Sequence, residues 1–324
     1  MASKIKIAYV KEYELCDWDH FYIVKGISIL AALVAYYCTA FLNIPNLQYV
    51  QQAAATVFVL CSGYGVSESY NRKGGLIHYW ENKMIKVWLP SLVVMIGFSF
   101  ISTGNFVAWI ASSPLAFKGN LLYVIFGGYA AFWVMFQFSE KKTTRLIGLF
   151  VISVAVFCFL PEGLGVKTAV LAFPVGVMFS QLKWKYRIRK FTWKGSLAVS
   201  GGCAAVATVA LVLAGKLSIS ECRTVLLSVS YIAIGALLIL ETYFLRTIPV
   251  WGVFVPFGYA SYALYLLYDS IMVMMKGQTD WRAIAIIALL LCVAAAILTA
   301  LRELLIAWNR KLRRRKNPRL KGSM

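Results

Sequence analysis

Lys25 and Tyr36 stand eleven positions apart in the first long apolar run of the chain. Eleven residues make about three helical turns and about 16 Å of rise, so both side chains share one face of a helix. If Lys25 marks the inner surface of a membrane, Tyr36 is expected near the midplane. One face would then carry a cation at the cytoplasmic mouth and a hydroxyl halfway across. Lys83 and Lys86 are three apart, which puts them on one face of an α-helix. They are placed to receive an anionic group such as a phosphate. Late in the chain, Gly258-Tyr259-Ala260-Ser261-Tyr262-Ala263-Leu264-Tyr265-Leu266-Leu267-Tyr268-Asp269 packs four tyrosines and one acid into a single apolar run. Asp269 is the clearest acid inside such a run, and polar groups there are expensive enough to suggest function. Each of these residues also has a plainer reading. Lys25 can snorkel to headgroups, and Lys83 and Lys86 can serve as a positive-inside anchor.

These residues need elements to hold them, and composition says which kind. The chain has 324 residues, 60% hydrophobic and 14% charged, with mean hydropathy +0.72. A soluble domain carries about 25% charged residues. The imbalance excludes an ordinary water-soluble enzyme, a disordered chain and a secreted disulfide scaffold. The apolar residues fall into runs that predict about ten transmembrane helices, over 21–42, 48–66, 87–103, 120–138, 146–160, 168–182, 195–214, 225–245, 250–274 and 283–306. The expected fold is therefore all-α and polytopic, because lipid cannot satisfy an open sheet edge. Residues 1–20 read as a cytoplasmic N-terminal segment, 21–306 as the ten-span membrane domain and 307–324 as a basic cytoplasmic tail. Glu12, Glu14, Asp17 and Asp19 precede the first apolar run, so no cleavable leader is expected. The fifth and sixth spans are short and flank Pro161-Glu162-Gly163.

Charge sets the orientation. With the N-terminus inside, the cytoplasmic segments hold 25 of the 33 Lys and Arg, the outer segments hold 6, and Lys25 and Arg302 lie within spans. Basic residues favour the cytoplasmic face, so an N-in, C-in arrangement in the cell membrane is expected. The same bias accounts for most of the net charge of +20 without nucleic acid as a partner. Cys38, Cys61, Cys158, Cys203 and Cys292 fall inside apolar runs and read as buried small hydrophobes. The two histidines, His20 and His78, read as solvated loop or interface residues, and no metal site is expected.

Taken in order, these stretches resemble the membrane-bound acyltransferase family 3, which includes O-acetyltransferases of cell-surface polysaccharides. Lys25-Gly26-Ile27-Ser28-Ile29 resembles the start of that family's first span. Val57-Phe58-Val59-Leu60-Cys61-Ser62-Gly63-Tyr64 resembles its F-F-x-L-S-G-F. Lys83, Lys86 and Pro90 resemble its R-x-x-R…P. Gly258 through Tyr268 resembles its late G-x-x-S-Y-x-I-Y-L-x-H, and Phe173-Pro174-Val175-Gly176-Val177 resembles a further segment. Tyr36 and Tyr268 stand where the family has histidine, and both arginines of its basic pair are lysines here.

The resemblance implies an acyl-CoA donor binding from the cytoplasm, with no tightly bound cofactor. It implies basic side chains (here Lys25, Lys83 and Lys86) on the donor phosphates. Tyr36, Tyr268 and Asp269 would carry the catalytic part, and the acceptor would be a hydroxyl of an extracytoplasmic saccharide or similar molecule. Beyond the bilayer and these substrates, proteins of surface-polymer synthesis are possible partners. Lysine still serves phosphate as a point charge, without the bidentate geometry of arginine. Tyrosine for histidine is a larger change. A phenol has a reference pKa of about 10 against about 6.5 for imidazole, which disfavours its basic form by about 5 kcal/mol at neutral pH. Tyr36 is therefore expected to position or relay rather than act as a free base. Two other readings stay open at this point: a relative that keeps the fold and serves binding, export or scaffolding of a surface polysaccharide, and an unrelated transporter.

Overall fold

A computed structural model describes residues 18–41, 44, 47–94, 121–160, 166–186, 193–244, 252–275 and 281–316. Among them there is helix and no strand. The helices are α1 (Trp18–Phe41), α2 (Gln48–Lys73), α3 (Tyr79–Lys83, continued by a π-helical turn over Met84–Trp88 and by helix over 89–94) and α4 (Leu121–Phe138). They continue with α5 (Lys142–Phe159), α6 (Ala172–Tyr186, preceded by a 3-10 turn over Lys167–Ala169), α7 (Trp193–Lys216), α8 (Ser220–Phe244), α9 (Phe254–Met275) and α10 (Trp281–Lys316). Segments His20–Thr39, Lys142–Phe159, Leu197–Lys216, Ser220–Tyr243 and Leu289–Asn309 are long and apolar enough to cross a bilayer, and three shorter apolar helices accompany them. The expected all-helical polytopic fold is the one observed.

The chain forms two compact units. The first comprises Met1–Ile77 and Pro114–Tyr259, the second His78–Ser113 and Ala260–Met324.

At the heart of the first unit is α2, which packs against α1, α4, α6, α8 and the 3-10 turn. It is not among the five long apolar segments, since Gln51, Gln52, Glu68 and Arg72 lower its hydropathy. Yet Val57 through Tyr64 are all buried, as are Ser67 and Glu68. Protein rather than lipid surrounds this helix, so its polar groups find partners. It also runs on past residue 66, where the apolar pattern stops, to Lys73.

Close packing depends on four glycines. A Cβ on Gly63 would overlap the carbonyl of Phe173 on α6, and one on Gly176 would overlap the carbonyl of Leu60 on α2. Likewise Gly26 of α1 lies on the carbonyl of Phe254, and Gly258 of α9 on that of Tyr22. Small residues let membrane helices approach backbone to backbone in this way. A Ser-Gly pair suggests a bend or close helix packing, and at Ser62-Gly63 the structure has the close packing.

The outward faces of the first unit are apolar: Val151 is 62% exposed and Val209 57%. In a membrane protein such surface meets acyl chains. The cysteines divide on the same basis. Cys61 is buried, but Cys38 and Cys203 are half-buried, and Cys158 and Cys292 sit on exposed faces. An apolar run records a lipid-facing position as readily as a core one, which is why burial of all five was not realised.

In the second unit, the π turn packs against α10, and Asn309 of α10 donates a hydrogen bond to Glu81 at 3.0 Å. The last helix continues to Lys316, so the basic stretch after residue 306 begins as helix. Residues 95–103 of the expected third span, and the loop around Pro161-Glu162-Gly163, lie outside the described residues.

Candidate functional site

Lys25 and Tyr36 both lie on α1 in the first unit. The Lys25 Nζ sits 5.9 Å from the Phe58 ring centroid on α2, and both residues are half-buried at their own positions on α1. Because α1 begins at Trp18, Lys25 lies about two turns into the helix. Tyr36 is then about 27 Å from the helix start along an axis of about 36 Å, in the far half and beyond its centre. The helix starts early because His20, expected in a solvated loop, is fully buried. Its Nε2 lies 2.8 Å from Thr242 Oγ1 on α8. The Thr242 hydroxyl is also 2.7 Å from the Leu238 carbonyl, to which it donates, so the imidazole is the donor to Thr242. A contact across 222 positions of chain is invisible to local pattern. Thr242→Val should leave His20 buried without this partner. We expect about 1–3 kcal/mol of destabilisation, read as a lower thermal midpoint in detergent.

The end of α2 near Lys73 carries a polar cluster that the apolar pattern places in a loop. Glu68, 2% exposed, accepts from Arg72 Nε at 2.8 Å and from the Tyr64 hydroxyl at 3.4 Å. Tyr64 stacks on Phe21 of α1 with centroids 4.1 Å apart. One turn round the helix, Gln181 of α6 donates to Ser67 at 2.9 Å and to Asn71 at 3.3 Å, and Asn71 donates to Ser180 at 3.5 Å. From α5, Arg145 donates to the Tyr70 hydroxyl at 3.0 Å and lies over the Tyr70 and Phe136 rings. Polar contacts thus tie α2 to α5 and α6, and ring stacking ties it to α1. The sequence signal for this cluster was the i,i+4 pair Glu68 and Arg72 immediately after an apolar run.

Lys83 and Lys86 belong to the second unit. Lys83 is half-buried, with Nζ 5.7 Å from the Tyr79 ring centroid, and Lys86 is exposed. Lys86 stands inside the π turn. A π turn holds more residues than an α turn, so a spacing of three no longer aligns the two lysines on one face as an α-helix would. The turn is pinned by Tyr262, whose hydroxyl donates to the Val87 carbonyl at 2.6 Å, and it precedes Pro90, which has no N–H to continue the ladder. His78, at the left-handed residue before α3 (φ 52°), is exposed and pairs with Glu81 at 3.0 Å, as a loop histidine should. In the middle of α10, Arg302 has a buried Nε with no hydrogen-bond partner among the described residues, and its Nη2 reaches Glu303 at 3.2 Å. Tyr268 and Asp269 are on α9 in the same unit, and their side chains lie outside the described residues. The six expected site residues therefore fall as Lys25 and Tyr36 on one unit, and Lys83, Lys86, Tyr268 and Asp269 on the other.

Residues 21–301 match the family model described as an acyltransferase domain. The chain belongs to this acyltransferase family. The match takes in every helix from α1 to most of α10, so the membrane bundle is itself the acyltransferase domain. No curated protein and no solved structure matches the chain. Within the acyltransferase domain, the stretches that carry the family resemblance are also its packing points. Gly26 and Gly258 mark one helix crossing, Gly63 and Gly176 another.

Proposed function

We propose that this chain moves an acyl group, acetyl in the simplest case, from cytoplasmic acyl-CoA to a hydroxyl of an extracytoplasmic saccharide or similar acceptor in the cell membrane. Family membership over residues 21–301 carries the reading. The excess of basic residues on one set of loops supports an N-in, C-in orientation, which puts Lys83 and Lys86 on the donor side. In the transfer, the thioester C–S bond breaks and an ester C–O bond forms. The acceptor hydroxyl proton ends on the CoA thiol. Lys25, Lys83 and Lys86 hold donor phosphates as point charges. The Tyr36 hydroxyl orients the reacting oxygen by hydrogen bonding, and Tyr268 and Asp269 contribute the proton path from α9.

Purified protein given acetyl-CoA and a saccharide acceptor should release CoA. Tyr36→Phe keeps the ring and removes the hydroxyl, and should slow release by about tenfold, the order expected for one lost hydrogen bond to the reacting oxygen. Absence of CoA turnover with any saccharide acceptor would leave the chain a non-catalytic member of its family. An unchanged rate in the Phe variant would remove Tyr36 from the mechanism.

A further inference from the structure

Lys167 opens the 3-10 turn ahead of α6 and is 3% exposed. Its ammonium lies 5.0 Å from the Phe157 ring centroid, and no carboxylate pairs with it among the described residues. A cation over a ring gains about 0.5–2 kcal/mol, whereas removing a charge from water costs several kcal/mol. The ring alone does not offset the burial.

Among the described residues, the surroundings of Lys167 lack negative charge. The turn packs on α2 and α8. Gly63 beside Phe173 and Ser67 beside Gln181 show that α2 and α6 run in the same direction. That register sets Lys167 near the level of residues 53–57 of α2. Close by in the chain, Gln52 of α2 accepts a hydrogen bond from the Tyr231 hydroxyl of α8 at 3.1 Å. Residues 48–67 of α2 and 222–240 of α8 contain no Asp or Glu. Thr168, beside Lys167, is also buried, and the first turn of α6 carries no acid. The N–H groups that open a helix carry the positive end of its dipole and favour anions.

We infer that Lys167, with the start of α6, is a binding point for an anionic group, a carboxylate or a phosphate, on the acceptor. In the N-in orientation the connection before Lys167 is extracytoplasmic, which is the acceptor side of the membrane. The acceptor assignment rests on the acyl-transfer reading; anion binding at Lys167 does not.

The test uses purified full-length protein in detergent, with glucuronate and glucose 1-phosphate as anionic probes and glucose as the neutral one. Thermal stability is titrated with each. The wild type should be stabilised by at least one anionic probe and not by glucose, and the probe that acts distinguishes carboxylate from phosphate. Lys167→Gln should need about tenfold more of that probe, the effect of losing one charge-assisted contact. Lys167→Arg should keep the response, as should the Lys83→Ala/Lys86→Ala double variant. Equal responses to glucose and the anions in the wild type would overturn the inference whether or not the Gln variant folds. So would an undiminished response in Lys167→Gln. CoA release, followed in parallel, separates the two readings. An anion response without turnover sinks acyl transfer and leaves the site; turnover without an anion response sinks the site.

Discussion

Gly63→Val and Gly176→Val should each prevent folded protein from accumulating in the membrane, while Gly201→Ala and Gly202→Ala should accumulate normally. At the first two positions an added Cβ would meet backbone carbonyls of the neighbouring helix, Phe173 and Leu60 respectively. A backbone atom cannot rotate aside as a side chain can, so α2 and α6 would have to separate. Overpacking a core costs typically about 1–3 kcal/mol when side chains can adjust, and here the whole crossing must open. Marginal stabilities of about 5–15 kcal/mol leave little reserve against that. A methyl added at Gly201 or Gly202 would have nothing within 4 Å, and alanine improves helix propensity by about 1 kcal/mol. Comparing membrane-extracted, monodisperse yield of the four variants decides the matter. Normal yields for both valine variants would mean that α2 and α6 do not meet at this register.

A second large effect is expected from an asymmetric ion pair. Glu68 and Arg72 lie 2.8 Å apart, but the side chains are 3% and 43% exposed respectively. Arg72→Ala removes the more exposed partner and takes the short charged contact away from the buried carboxylate, which keeps the Tyr64 hydroxyl at 3.4 Å among its partners. Breaking a buried pair from that side costs about 3–5 kcal/mol, because the remaining charge stays out of water. Glu68→Gln leaves an arginine that can turn its guanidinium to solvent, and should cost clearly less, about 1 kcal/mol. Thermal unfolding in detergent at neutral pH gives both values. The order of the two variants is the informative outcome, and equal losses would show that Glu68 is not the buried member in solution.

Much of this architecture is legible in the chain itself, and the exceptions share a cause. The apolar runs locate the helices from α1 to α10 because lipid demands continuous apolar length. They fail at the start of α1 and the end of α2, and α3 and α10 also run beyond the expected bounds, from Tyr79 and to Lys316 respectively. His20 could be helical only because Thr242 stands ready to bond it, and Ser67 through Lys73 only because Gln181 and Arg72 satisfy the polar groups there. Hydropathy counts what a residue costs in lipid and has no knowledge of a distant partner. Lys25 and Tyr36 were readable as a pair on one helix, since their relation is set by helical rise alone. The facing of Lys83 and Lys86 was misjudged for a different reason: a π turn leaves no mark in residue type, and its anchor, Tyr262 on the Val87 carbonyl, is 175 positions away.

The polar character of α2 also bears on how the protein is made. Insertion machinery admits a segment according to its transfer free energy, and each central charge adds about 2.5–3.5 kcal/mol against entry. A helix with two adjacent glutamines, a buried glutamate and no lipid-facing stripe is a poor candidate for entering alone. Its partners α6 and α8 emerge from the ribosome only well after α2 is complete at Lys73, since they begin at Ala172 and Ser220. The second helix must therefore wait at the membrane, held by α1, until synthesis is well advanced, and chains cut short before α6 are left with a segment that neither water nor lipid suits.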